Sequence, residues 1–140
     1  IYIDIVIEIV IMSKYRPAIT LFTSISNIAP ALRKAAPSLP LLEIVDEALG
    51  GYGGTVEFDA SKIQKGTKTQ LAAAEILITE PAVLAALLQH MTLPNLRWCQ
   101  STYAGVDPLF TASNLPMPRS FTLTRFAGKF GPPIAEWCLA

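Results

Sequence analysis

Short apolar, β-branched runs alternate along this chain with stretches of helical periodicity, and that alternation restricts the fold more than any other feature. Residues 17–24 (PAITLFTS), 74–79 (AEILIT), 96–101 (LRWCQS) and 121–124 (FTLT) each read as a strand. Between them lie helix signals. Asn27 is placed to cap a helix running to Ala36, with Pro30 in its first turn. Thr79 is placed to cap another, with Pro81 in its first turn and Val83, Leu84, Leu87, Leu88 and Met91 forming one apolar stripe. Pro94-Asn95 ends that stripe, Asp107-Pro108 opens the next helix and Pro132-Pro133 a last one. Repeated strand–helix units predict an α/β domain with a mainly parallel sheet. Ligands of such sheets bind beyond the carboxyl ends of the strands.

Two segments resist this reading. Residues 39–49 fit a strand at Leu41-Leu42-Glu43-Ile44-Val45 or a helical face of Leu41, Leu42, Val45 and Leu49. Residues 55–70 are polar and poorly periodic, and Gly50-Gly51-Tyr52-Gly53-Gly54 reads as a mobile loop. No choice of first glycine there yields the G-x-G-x-x-G turn that cradles a dinucleotide pyrophosphate.

With 140 residues, 51% of them hydrophobic and 16% charged, the chain can bury one substantial core. Formal net charge is zero and the basic residues are scattered, which argues against a nucleic-acid partner. No run is long and apolar enough to span a membrane, and no address signal is visible, leaving the cytoplasm as the default location. Cys99 and Cys138 lack metal-ligand spacing and read as buried reduced thiols. His90 is the single histidine, which rules out two-histidine chemistry within these residues, and its place beside the apolar stripe predicts exposure. Residues 1–11 alternate isoleucine with other residues. They read as a non-native or upstream extension, with Met12 as the authentic start.

The segment most able to bind a ligand is Ser101-Thr102-Tyr103-Ala104-Gly105-Val106-Asp107-Pro108, a strand exit that turns into a helix. Gly105 would let a ligand approach the backbone closely, and free amides at a helix start favour an anion. Asp107 suits the N-cap, although its charge would repel that anion. On local physics, a carboxylate site and an ordinary capped βα turn stand level.

Two motifs bring in a family. Trp98-Cys99-Gln100-Ser101-Thr102-Tyr103-Ala104-Gly105-Val106-Asp107 resembles the W-x-Q-S-x-x-A-G-V-D segment of the D-isomer-specific 2-hydroxyacid dehydrogenases. Leu123-Thr124-Arg125 through Gly131-Pro132, with Ala135-Glu136, resembles their later L-T-R-x-x-G-x-F-G…A-E segment. The glyoxylate/hydroxypyruvate reductases are the most similar subgroup, and the resemblance covers roughly residues 74–140.

The resemblance implies a flavodoxin-like substrate-binding domain over residues 12–131, cut off before a Rossmann cofactor domain, with 132–140 beginning an interdomain helix. It implies that Tyr103, Ala104, Gly105 and Val106 bind the carboxylate of a small 2-keto acid, chiefly through main-chain amides. NAD or NADP and every catalytic group would belong to the missing domain, leaving no catalytic, cofactor-binding or metal residue in this chain, and a homodimer would form only at full length. Tyr103 either lines the pocket or packs at the strand end. Arg125 meets substrate or cofactor, or makes a surface or interdomain salt bridge. Glu136 matches a structural position. A non-catalytic flavodoxin-like small-acid-binding or regulatory module is the alternative, and it should pack Ile134, Trp137 and Cys138, which a fragment should leave exposed.

Overall fold

The five strands among the described residues form one parallel sheet. The computed structural model describes residues 17–50, 58–111 and 120–139. The expectations for residues 1–11 and for Gly51-Tyr52-Gly53-Gly54 fall outside the described residues. The strands are β1 (Ile19–Leu21), β2 (Leu41–Glu43), β3 (Ile76–Thr79), β4 (Trp98–Ser101) and β5 (Thr122–Thr124). The helices are α1 (Ile28–Ala35), α2 (Lys65–Ala73), α3 (Pro81–His90), α4 (Pro108–Thr111) and α5 (Gly131–Leu139), with 3-10 turns at Glu47–Leu49 and Ala60–Lys62. The strand order, β2-β1-β3-β4-β5, is that of the flavodoxin-like doubly wound sheet.

Strand alternation divides the core into two layers. Ile76 and Ile78 pack with Ile19, Leu21 and Trp98 beneath Ala29 and Leu32 of α1. Leu77 and Cys99 face the other way, into the layer built by Leu84, Leu87 and Leu109. β3 and β4 are buried at every position, as central parallel strands covered on both faces must be. No helix among the described residues is long and apolar enough to cross a membrane.

A hydroxyl relay fixes β5 to β4. The Trp98 indole Nε1 donates to Thr124 Oγ1 at 2.7 Å, and that hydroxyl donates to Gln100 Oε1 at 2.6 Å. Gln100 Nε2 in turn donates to the Ser101 carbonyl at 2.8 Å. The tryptophan, glutamine and threonine of the two motifs are therefore a structural unit, all on one face of adjoining strands. Thr124→Val should leave the indole N–H and the amide oxygen unmatched and cost about 1–3 kcal/mol. Urea unfolding of the two proteins measures it.

The segment after β2 is held by Asp46, buried at 5% exposure. Burial opposes its ionisation, but hydrogen bonds from the Ala48 N–H, the Thr67 side chain and the Gln64 N–H outweigh it and lower its pKa. A carboxyl with a depressed folded-state pKa contributes stability above its unfolded pKa, and loses it as pH falls through the folded value. Unfolding free energy should therefore decline below about pH 4. Asp46→Asn should flatten that decline, read from denaturant melts across the acid range.

The structure settles some local expectations and corrects others. Residues 39–49 resolve as the short β2 followed by a 3-10 turn capped by Asp46. The polar stretch 55–70 contains most of α2, which inserts only Thr67 and Leu71 and so shows little amphipathic pattern. Asn27 does occupy the N-cap of α1, but with φ 67 and no side-chain cap bond. Glu80, not Thr79, is the N-cap of α3, because β3 continues through Thr79. Cys99 is buried, whereas Cys138 is exposed, because no residue of α5 is buried.

Candidate functional site

The carboxyl ends of β2, β1, β3 and β4 lie in a row along one edge of the sheet, and the polar groups gather there. Strand order reverses at β1, which has β2 on one side and β3 on the other; crevices of doubly wound sheets open at such points. A cleft of about 190 Å³ lies between the β1 and β2 exits, lined by Thr23, Ser24, Glu43, Asp46, Leu21 and Leu49, among others. Beside it Glu80, 5% exposed, closes the gap between the β1 and β3 exits. Its Oε1 accepts from the Thr23 hydroxyl at 2.7 Å, the Ser24 N–H at 2.9 Å and the Ser24 hydroxyl at 2.8 Å. Its Oε2 is buried with no hydrogen-bond partner among the described residues.

One strand further along, β4 runs into residues 102–107. Thr102 N donates to Thr79 O at 3.1 Å, carrying the strand pairing one residue past β4. Ser101 Oγ then donates to the Tyr103 carbonyl at 2.9 Å and accepts from the Tyr103 N–H at 3.1 Å, which turns the chain sharply. The segment after β5 braces the turn. Phe126 N donates to Tyr103 O at 3.2 Å, and Arg125 Nη1 donates to Ala104 O at 3.2 Å. The N–H groups of Ala104, Gly105 and Val106 meet no acceptor among the described residues.

Gly105 is not required by backbone conformation, since the glycines with positive φ among the described residues are Gly50 and Gly128. A Cβ at position 105 would meet only Asp107 Oδ2, at 3.4 Å. The carboxylate of Asp107 thus leans over the bare backbone and makes the turn less hospitable to an anion. The described residues of the helix that follows, α4, are Pro108–Thr111, and the Phe110 and Thr111 N–H groups donate to the Asp107 carbonyl at 2.8 and 3.0 Å. The turn offers three adjacent main-chain donors and the nearby guanidinium of Arg125.

No family model matches the chain, and no curated protein does. A solved structure is similar: a D-isomer specific 2-hydroxyacid dehydrogenase family protein from Aeromonas salmonicida subsp. salmonicida, 28% identical over 89% of this chain, with a TM-score of 0.61. The chain is similar to a member of the D-isomer specific 2-hydroxyacid dehydrogenase family. It spans 34% of the length of that similar structure.

Tyr103, Ala104, Gly105 and Val106 share one turn at the carboxyl edge of the sheet. Tyr103 is 42% exposed, and none of the four lines the cleft beside β1. Val106 packs partly against the core and so anchors the end of the turn. Arg125 meets a carbonyl of this turn instead of an acidic side chain. His90 is exposed and closes α3 at the opposite edge of the sheet, far from the turn in the topology. Among the described residues no group of His, Cys, Asp and Glu could hold a metal ion.

The described residues do not fit a dinucleotide. β1 exits through Thr23-Ser24-Ile25-Ser26-Asn27, without a glycine to let a pyrophosphate reach the start of α1. The side chain of Glu80 already takes up the donors there. Sequence reading missed Glu80 altogether. Its only signal was a carboxylate directly after an apolar strand and before a helix-starting proline.

Proposed function

We propose that this chain is the substrate-carboxylate-binding part of an oxidoreductase that reduces small 2-keto acids, of the glyoxylate or hydroxypyruvate type, to D-2-hydroxy acids with NAD or NADP. The turn of Tyr103, Ala104, Gly105 and Val106 holds the carboxylate. The observation that carries this reading is the run of three amides without acceptors around a glycine whose φ does not demand glycine. A missing Cβ has a use there if a ligand sits against the backbone. Likeness to a dehydrogenase supplies the chemical class.

The nicotinamide cofactor and the groups that move hydride and proton belong to a further folded unit, and the complete protein is a homodimer. Support comes from α5, where Ile134 is 57% exposed and Trp137 82%. An apolar stripe of that kind is usually covered by a partner surface. The same exposure favours the enzyme reading over a self-contained acid-binding module, which would pack those side chains.

Titration of the ¹⁵N-labelled chain with glyoxylate tests the site. Saturable shifts of the Ala104, Gly105 and Val106 amides are expected, with a Kd on the order of millimolar for so few contacts. Shifts confined to other residues, or none, would overturn the assignment. The purified chain should also turn over neither glyoxylate nor hydroxypyruvate with NADH or NADPH, as followed at the nicotinamide absorbance.

A further inference from the structure

We propose that Arg125 is a positioning residue for the carboxylate turn, which it serves through the Ala104 carbonyl; the inference rests on the reading of that turn as the substrate site. In a trans peptide the C=O and the following N–H point in opposite directions across one rigid plane. The Tyr103 carbonyl is held by Phe126 N at 3.2 Å and by Ser101 Oγ at 2.9 Å. The Ala104 carbonyl is held by Arg125 Nη1 at 3.2 Å. Two consecutive carbonyls are therefore drawn toward residues 125–126. The N–H groups on the far side of those two planes, of Ala104 and Gly105, are turned away from that segment, and neither meets an acceptor among the described residues.

Arg125 adds charge to orientation. A guanidinium hydrogen-bonded to a carbonyl polarises the peptide and makes its N–H a stronger donor. The same positive charge offsets the carboxylate of Asp107, whose Oδ2 would lie 3.4 Å from a Cβ on Gly105. Because a single nitrogen, Nη1, donates to the Ala104 carbonyl, the role needs one cationic donor and not the bidentate fork of arginine. An ammonium at position 125 can take it over in part.

The test compares Arg125→Met and Arg125→Lys with the unsubstituted chain in glyoxylate titrations followed at the amides of residues 104–106. Arg125→Met keeps the aliphatic stem and removes the donor. It should weaken glyoxylate by about tenfold and move the ligand-free shift of the Gly105 amide, while thermal unfolding stays unchanged. Arg125→Lys should recover a large part of the affinity. Binding by Arg125→Met within about twofold of the unsubstituted chain would overturn the inference, as would a lysine variant no better than the methionine one. If the unsubstituted chain shows no glyoxylate shifts, the carboxylate site itself fails. If it binds and both variants bind equally well, only the role of Arg125 fails.

Discussion

Glu80→Ala is expected to destabilise the domain by about 3 kcal/mol. One carboxylate oxygen of this buried side chain accepts three hydrogen bonds from Thr23 and Ser24. Removing it strands the Ser24 N–H and two hydroxyls at the β1 exit, each at about 1–3 kcal/mol when no water reaches them. Partial access of water to Thr23 and Ser24, which are only half-buried, holds the total near the lower end. Glu80→Gln should cost less, about 1–2 kcal/mol, since an amide oxygen still accepts while its NH2 takes the place of the buried, unpartnered Oε2. Guanidinium unfolding of the three proteins, with the slope held common, reads these differences. An alanine variant as stable as the parent would mean that the clamp between β1 and β3 contributes nothing.

A substitution at Gly105 should behave in the opposite way, sparing the fold and abolishing the site. With no positive φ to satisfy and only Asp107 Oδ2 nearby, a side chain at position 105 meets little resistance from the protein. Gly105→Val should therefore shift stability by no more than about 1 kcal/mol. The same isopropyl group would occupy the space in which a carboxylate must approach the amides. Glyoxylate affinity should fall by at least about tenfold, since a lost charged hydrogen bond is worth about 1.5–3 kcal/mol. Amide titration and a thermal melt on one sample separate the two effects. A valine variant that binds glyoxylate normally would place the ligand elsewhere, and one that unfolds would make Gly105 a structural glycine.

Those two residues mark how unevenly the molecule could be read from its sequence. β3 was legible because a strand covered on both faces is written in nearly continuous apolar residues; β4, equally buried, opens on Trp98-Cys99 and ends on Gln100 and Ser101, whose polar atoms are hydrogen-bonded. α3 was legible from its stripe, although its cap was not. Thr79 looks like a cap by composition, but pairing of β3 with β4 runs through Thr79 and Ser101 and keeps Thr79 in the sheet. α2 was missed because a helix that inserts only Thr67 and Leu71 has almost no periodic signature. Cys138 was misplaced for a related reason. Apolar neighbours predict burial only where another surface covers them, and α5 has none among the described residues.

The site was legible as a place and not as a mechanism. The turn around Gly105 could be picked out by its residues and by likeness to a family, yet its orienting contacts come from residues about twenty positions later. Arg125 reaches Ala104, and Phe126 reaches Tyr103, only because β5 lies beside β4 in the sheet. Thr124 follows the same rule: its hydroxyl joins Trp98 to Gln100, so the two motifs make sense together.

A crystal structure of the chain with oxamate, an unreactive keto-acid analogue, confronts the account most directly. Its carboxylate should sit within hydrogen-bond distance, about 2.7–3.2 Å, of at least two of the Ala104, Gly105 and Val106 nitrogens, on the side turned away from Arg125. Oxamate seated in the cleft beside Thr23 and Ser24 instead, with those three nitrogens bonded within the protein, would contradict it.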